Sequence, residues 1–237
     1  MENIKITDKI TEEQIKRIQN ILKNTDKQKI NIKGAIEWFD KVYIKQISKF
    51  IDINDKILCD CACGYGWFSF AYLLNRENNK AICIDLDKRI LEIAKSISEI
   101  LEVRDRIKFK IADITKLPLN SKSVNIFASI ETLEHVGDNP ELQMKYYYGQ
   151  EKDKVMMMFK IQRELQLMAL EEINRVTSEA VIIATPNRYY FKDHHDTGLK
   201  FVHWMPRYIG IQYSLKFSKE GYFHAPLHSR FLSHNGS

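Results

Sequence analysis

The stretch ILCDCACGYGWFS, at residues 57–69, joins a short apolar run to a loop that contains two glycines. Gly64 and Gly66 follow the apolar run and precede a segment with helical character. Glycine at a strand-to-helix junction lets the backbone adopt positive φ and approach a ligand closely. A dinucleotide-binding motif also calls for glycine or another small residue at position 69, where Ser69 stands. The two glycines alone therefore do not decide which ligand the loop binds.

Two acidic residues frame this loop. Asp60 closes the first apolar run, and Asp85 closes the next one, AICID, roughly 20 residues beyond the glycines. A carboxylate at the second position can accept hydrogen bonds from both ribose hydroxyls of an adenosine. A simpler interpretation stays open, because carboxylates also cap the N-termini of helices.

Strand-like and helical segments alternate along the chain. Apolar residues at helical spacing predict helices over the first 50 residues and again over residues 90–101. A short apolar run predicts a strand at 56–59, further strands are predicted at 81–85, 107–111, 124–129 and 180–184, and a helix-rich stretch at 142–176 separates the last two. This order indicates an α/β protein with a Rossmann-like, doubly wound and mostly parallel sheet covered by helices on both faces. Ligands of such sheets bind beyond the carboxyl ends of the strands.

Composition and charge narrow the class of protein. Of the 237 residues, 44% are hydrophobic and 28% are charged, as is typical of soluble globular proteins. The net charge of +5 is scattered among acidic residues, which falls short of a nucleic-acid-binding surface. No apolar run approaches the roughly 20 residues that cross a bilayer, and the N-terminus has no apolar signal core. We therefore expect a cytoplasmic protein without a membrane partner.

The cysteines fall in one short region of the sequence, at Cys59, Cys61, Cys63 and Cys83. A disulfide-stabilised secreted protein would spread them along the chain. A structural zinc site needs four ligands, usually in two separated pairs, and no second Cys/His pair has fitting spacing. We expect these cysteines to be small buried side chains in a strand and turn.

Residues 60–66, Asp-Cys-Ala-Cys-Gly-Tyr-Gly, resemble motif I of the class I S-adenosylmethionine-dependent methyltransferases. The usual motif is Asp-x-Gly-Cys-Gly-x-Gly, so Ala62 replaces its first glycine, which costs little where φ is negative. Segments that resemble further motifs of the family follow in order, so that the resemblance covers about residues 35–190. It implies a Rossmann-like fold and S-adenosylmethionine as the cofactor.

The resemblance also implies which residues bind the cofactor. Asp85 matches the acid that binds the ribose, Leu86 the residue that packs against the adenine, and Asp113 the acid that binds the adenine amino group. The full set that it implies is Asp60, Cys61, Ala62, Gly64, Gly66, Asp85, Leu86, Asp113, Ile114, Ser129 and Ile130.

By the same resemblance, the chain is an enzyme that methylates an acceptor and releases S-adenosylhomocysteine. The His-rich, aromatic segment that follows Thr185-Pro186-Asn187 resembles bacterial methyltransferases of small molecules. We expect O-methylation of a small molecule such as a sugar, a surface-glycan precursor or a quinone-like metabolite. The alternatives are an RNA or protein methyltransferase, a Rossmann protein without catalysis, and an NAD-dependent one. A nucleic-acid acceptor would call for a basic, aromatic groove, which the sequence does not show.

Three histidines are candidate catalytic residues, because an alcohol acceptor needs a base and imidazole has a pKa near 6.5. His135 ends the fourth strand, and His194 and His195 follow the Thr-Pro-Asn turn. An alternative is a divalent metal ion that lowers the pKa of the acceptor hydroxyl. Glu131, Glu134, His135 and His194 resemble the ligand set of small-RNA 2′-O-methyltransferases and some quinone O-methyltransferases. We expect no metal, with this set as the alternative.

No linker or repeat marks a domain boundary, so we expect one domain over residues 1–237. An insert longer than the family usually has lies between the fourth strand and the last helix. Its aromatic run Tyr146–Tyr148 and its methionines Met156–Met158 predict a lid over the acceptor, or else a helix packed on the sheet. The expected parts are an N-terminal helical cap at 1–50, a cofactor-binding core at 51–190, a lid insert at 139–168 and an acceptor-side segment at 191–237.

Overall fold

The computed structural model describes residues 5–137, 152–185, 192, 199–205, 209–210, 213 and 216–217. These residues belong to two compact units of the chain. The first unit is Met1–Ser129 with Glu172–Ile182, and the second is Ile130–Glu171 with Ile183–Ser237.

The N-terminal segment is helical, as the apolar spacing predicts. Helix α1 spans Glu12–Leu22 and begins with a capping box, in which Thr11 and Gln14 exchange hydrogen bonds. Helix α2, Ile32–Phe39, continues through a π-helical turn, Asp40–Ile44, into α3, Lys45–Ile47. Ile18, Leu22 and Ile36 are fully buried, so one apolar face of α1 and of α2 packs on the rest of this unit.

The sheet contains five strands in the order β3-β2-β1-β4-β5. They are β1 Ile57–Cys61, β2 Lys80–Asp85, β3 Ile107–Ile111, β4 Val124–Ile130 and β5 Thr177–Ala184. Strand β1 pairs in parallel with both β2 and β4, and β2 pairs in parallel with β3. The predicted Rossmann-like α/β fold is therefore confirmed. The strand order reverses between β1 and β4, and in such sheets ligands bind beside this point.

Three longer helices alternate with the strands. Helix α4 spans Trp67–Asn75, α5 spans Lys88–Ile100 and α6 spans Lys152–Val176. Every residue from Trp67 to Leu73 is buried, whereas α5 buries one face only. Of the predicted helix-rich stretch at 142–176, the part before Lys152 lies outside the described residues. Within the described ranges, no helix has both the length and the apolar character of a membrane span.

The cysteines are free thiols, and Cys59, Cys61 and Cys83 are buried. Burial raises the pKa of the Cys59 thiol well above its usual value and that of Cys61 to about 12. Thiols held in the neutral form are poor nucleophiles and poor metal ligands. The three buried side chains therefore pack within the strands, as expected from the sequence, whereas Cys63 is half-buried.

Candidate functional site

The loop between β1 and α4 has positive φ at Ala62 (58°), Gly64 (51°) and Gly66 (84°). A Cβ at Gly66 would lie 2.8 Å from the ring of Phe70, so close packing on α4 requires glycine there. A Cβ at Gly64 would meet nothing within 4 Å, so this glycine faces open space. Gly64 is therefore where a ligand can approach the backbone of the loop most closely.

Ala62 does not have the negative φ on which its low cost depends. Its φ is 58°, in the left-handed region, which costs a non-glycine residue roughly 1–2 kcal/mol. The expectation that alanine is a mild change at this position is therefore wrong. The reason is the turn geometry of the loop, which requires left-handed backbone where the usual motif has glycine.

We expect Ala62→Gly to raise the free energy of unfolding by about 1 kcal/mol, because glycine adopts this φ without strain. The gain is reduced by the greater freedom of glycine in the unfolded chain. Urea unfolding of the two proteins measures it. Ala81→Gly, in the extended strand β2, is the matched control and should destabilise the protein. A lower stability of Ala62→Gly than of the wild type would contradict the expectation.

Asp85 ties the end of β2 to the loop after β1. Its Oδ2 accepts a hydrogen bond of 2.9 Å from the Gly64 amide, and its Oδ1 accepts one of 3.0 Å from the Asp87 amide. The residue that caps α5 is Asp87, so the interpretation of Asp85 as a helix cap is wrong. Each carboxylate oxygen can accept a second hydrogen bond. Asp85 thus keeps the capacity to bind ribose hydroxyls while it holds the loop.

Asp60 is a buried carboxyl behind the loop. Its Oδ2 accepts a 2.7 Å hydrogen bond from the Ser69 hydroxyl, which in turn accepts one from the Cys83 thiol. Burial raises the pKa of Asp60 to about 6, although the Ser69 hydroxyl acts in the opposite direction. Gly66, not Asp60, occupies the N-cap position of α4, so Asp60 is not a helix cap either. A carboxyl that titrates near neutral pH beside a ligand loop is a functional candidate.

Apolar side chains are exposed at the carboxyl ends of β2 and β3. Leu86 is 67% exposed and Ile111 is 56% exposed, while Ile114 is buried. Asp113 is exposed, and its Oδ1 accepts hydrogen bonds from the amide and hydroxyl of Thr115, which leaves Oδ2 for a further donor. Exposed apolar surface next to a free acceptor fits the faces and amino group of an adenine.

The loop that follows Asp113 is held by two residues near the end of α6. Glu172 accepts a 2.7 Å hydrogen bond from the Leu117 amide, and Arg175 donates to the carbonyls of Leu117 and Leu119. Arg175 also forms an ion pair with Glu172 at 2.6 Å. Neither residue is among the site residues predicted from the sequence. Their only local signal is the opposite charge at helical spacing i,i+3.

In the second unit, the turn Leu133–His135 follows β4. The amides of Gln162 and Gln166, on α6, donate to the carbonyls of Glu134 and Leu133, at 3.4 and 2.9 Å. Glu134 is fully buried, and neither of its carboxyl oxygens has a hydrogen-bond partner of good geometry among the described residues. Burial, and secondarily the nearby charge of Glu131, raise the pKa of Glu134.

The alternative metal set is not assembled in the described part of the chain. There, no three His, Cys, Asp or Glu side chains form a group that could hold a metal ion, and this includes Glu131, Glu134 and His135. The remaining member, His194, lies outside the described residues.

The other candidate residues differ in how far they are buried. His135 is half-buried, as is Ile130, whereas Ser129 is fully buried and its hydroxyl lacks a hydrogen-bond partner among the described residues. Cys61 is also buried, so only its backbone can contact a ligand without rearrangement. Several predicted positions lie outside the described residues, namely His194, His195, Asn187 and Tyr146–Tyr148.

Comparison with known proteins gives one match to a family model. Residues 53–197 match a model described as a methyltransferase domain. No curated protein sequence matches the chain.

Several solved structures are similar at low identity. An S-adenosylmethionine-dependent methyltransferase from Clostridium acetobutylicum is 12% identical, with a TM-score of 0.48 over 77% of this chain and 62% of that one. An S-adenosylmethionine-dependent methyltransferase from Methanosarcina mazei is 15% identical, with a TM-score of 0.40 over 56% and 52%. The [4+2]-cyclase SpnF is 14% identical, with a TM-score of 0.46 over 66% and 50%. The chain thus covers less than two thirds of each of these structures.

Proposed function

This chain belongs to the methyltransferase domain family, and we propose that it transfers a methyl group from S-adenosylmethionine to a hydroxyl of a small molecule. The observation that carries the proposal is the Asp85 carboxylate, which orders the Gly64 backbone and still has acceptor capacity at the end of β2. A carboxylate in this place suits the two hydroxyls of a ribose.

The residues around this carboxylate fit the rest of the cofactor. Leu86 and Ile111 offer apolar surface for the adenine, and Asp113 offers an acceptor for its amino group. Gly64 lets the loop backbone approach the ligand, since no atom lies where its Cβ would be. When bound, S-adenosylmethionine would supply a methyl group on a positively charged sulfonium, from which the neutral thioether S-adenosylhomocysteine is an excellent leaving group.

The protein contributes alignment and desolvation of the acceptor, which can supply about 7–11 kcal/mol of the barrier reduction. A hydroxyl acceptor also needs a base, and His135 is the proposed one among the described residues. His194 and His195 are proposed alternatives, and the insert at 139–168 is proposed to cover the acceptor. The turn that carries His135 is held by Gln162 and Gln166, so the imidazole is presented from an ordered backbone.

Two experiments test the proposal. Isothermal titration should show binding of S-adenosylhomocysteine and none of NAD. Binding of NAD alone would indicate an oxidoreductase and refute the proposed methyltransferase.

Transfer of a labelled methyl group should then be measured with nucleotide sugars, quinones and RNA, each with and without a chelator. Transfer only to RNA would refute the small-molecule acceptor, and loss of transfer in chelator would favour the metal alternative.

His135→Ala is expected to lower the rate of transfer by roughly a hundredfold or more, the usual size of a general-base contribution. Binding of S-adenosylhomocysteine should change little, because His135 is not among the residues proposed to hold the cofactor. His203→Ala is a control from the acceptor-side segment, and it should keep the wild-type rate. A His135→Ala enzyme with the wild-type rate would remove His135 as the base and leave His194 or His195.

A further inference from the structure

Tyr65 connects the glycine loop to the N-terminal segment of the chain. It lies between Gly64 and Gly66 and is buried, yet its hydroxyl donates a hydrogen bond of 2.6 Å to Oδ1 of Asp26. The two residues are 39 positions apart. The hydrogen bond therefore joins the glycine loop to a segment that comes before β1 in the sequence.

The contact is a hydrogen bond to a charged acceptor. The Tyr65 hydroxyl lowers the pKa of Asp26, whereas burial, followed by the bond to Asp26, raises the pKa of Tyr65. At neutral pH the pair is therefore a carboxylate and a neutral phenol. A distance of 2.6 Å is typical of an O–H···O⁻ bond, which is stronger than a bond between neutral groups.

Asp26 is presented from an ordered turn after α1. The Thr25 amide and hydroxyl both donate to the Leu22 carbonyl, and the Lys27 amide donates to the Thr25 hydroxyl. Helix α1 is itself fixed, since Leu22 is fully buried and the Gln14 side chain donates to the Ile100 carbonyl at the end of α5. The backbone around Asp26 is therefore held in place, while its carboxylate is 65% exposed.

The bond from Tyr65 to Asp26 adds to the hydrogen bonds that the loop makes through its own backbone. The Cys63 amide bonds to the Ile84 carbonyl, and the Gly64 amide bonds to Asp85, so the first half of the loop is tied to β2. The Gly66 amide closes the turn by donating a hydrogen bond of 2.9 Å to the Cys63 carbonyl, but the glycines on either side of Tyr65 have permissive backbones, so a further restraint narrows the conformations of the tip. The bond from Tyr65 to Asp26 supplies this restraint from the opposite side.

We propose that Asp26 is a positioning residue for cofactor binding, which acts through Tyr65 to hold residues 62–66 in the conformation that receives S-adenosylmethionine. This inference rests on the proposed function, and it makes the N-terminal segment part of the cofactor site. Neither residue needs to touch the cofactor for this role.

The test is the binding of S-adenosylhomocysteine, measured by isothermal titration. Tyr65→Phe removes only the hydroxyl, and Asp26→Ala removes the acceptor. Each should weaken binding about twofold to fivefold, because a hydrogen bond to a charged group is strong but the Asp26 side chain is 65% exposed to solvent. The double variant should bind no more weakly than either single one, because both changes break the same bond. Asp26→Asn keeps an acceptor oxygen but loses the charge, so its affinity should lie between those of Asp26→Ala and the wild type.

Lys27→Ala is the control, because it removes the 3.3 Å ion pair with Asp26 and leaves the bond to Tyr65. It should bind like the wild type. If Tyr65→Phe and Asp26→Ala both bind S-adenosylhomocysteine as tightly as the wild type does, the inference is overturned. Additive losses of affinity in the double variant would also overturn it. A wild-type protein that does not bind S-adenosylhomocysteine would instead refute the proposed function.

Discussion

Asp85→Ala is expected to weaken the binding of S-adenosylhomocysteine by tenfold to a hundredfold. The substitution removes the acceptor proposed for the ribose, and each hydrogen bond to a charged group contributes about 1.5–3 kcal/mol. It also frees the Gly64 amide, which donates to Asp85 at 2.9 Å, so the loop loses its tie to β2. Isothermal titration measures the change, and urea unfolding shows whether the fold is retained.

Asp87→Ala is the matched control for this prediction. Asp87 is two residues away and caps α5, and its carboxylate accepts hydrogen bonds from the amide and side chain of Arg89 and not from the Gly64 amide. Its loss should lower stability and leave the affinity nearly unchanged. Equal affinity of Asp85→Ala and the wild type would show that the end of β2 is not the ribose site.

Asp60→Asn is expected to stabilise the protein above neutral pH and to have little effect near pH 4. Burial raises the pKa of Asp60 from 3.8 to about 6, so the folded state binds its proton more tightly than the unfolded state does. The wild type therefore loses stability as pH rises from about 4 through about 6. The loss approaches about 3 kcal/mol, at about 1.36 kcal/mol for each unit of pKa. Asparagine does not ionise, and its carbonyl can still accept the Ser69 hydroxyl.

Urea unfolding of both proteins at pH 4.5, 6 and 7.5 measures this difference. Ser69→Ala supplies the complementary variant, because the Ser69 hydroxyl favours the ionised carboxyl and its removal should raise the pKa of Asp60 further. That variant should lose more stability on going to pH 7.5 than the wild type does. If Asp60→Asn and the wild type differ by the same amount at all three pH values, then Asp60 does not titrate in this range.

The strands show how far local patterns carry a prediction. The segment Ile-Lys-Phe-Lys-Ile at 107–111 coincides with β3, because alternating apolar and charged residues are typical of a strand that is only partly covered, and β3 lies at the edge of the sheet. The start of β5 is less well predicted. It begins at Thr177, directly after α6 ends at Val176, and no glycine or proline marks the change from helix to strand. The strand predicted from the sequence starts at 180, where the apolar residues begin.

The sequence by itself determined the order of helices and strands, the glycine loop and the strand-end acids Asp60 and Asp85, because periodicity and turn chemistry are local properties of a chain. Only the tertiary structure decided how those acids differ. Asp60 is enclosed by strands and α4, which raises its pKa, whereas Asp85 bonds to the Gly64 amide. It also decided that Asp26 meets Tyr65 and that Arg175 meets Leu117, 58 positions apart. Such contacts depend on which distant segments pack together, and burial and local dielectric follow from that packing, so no local pattern specifies them.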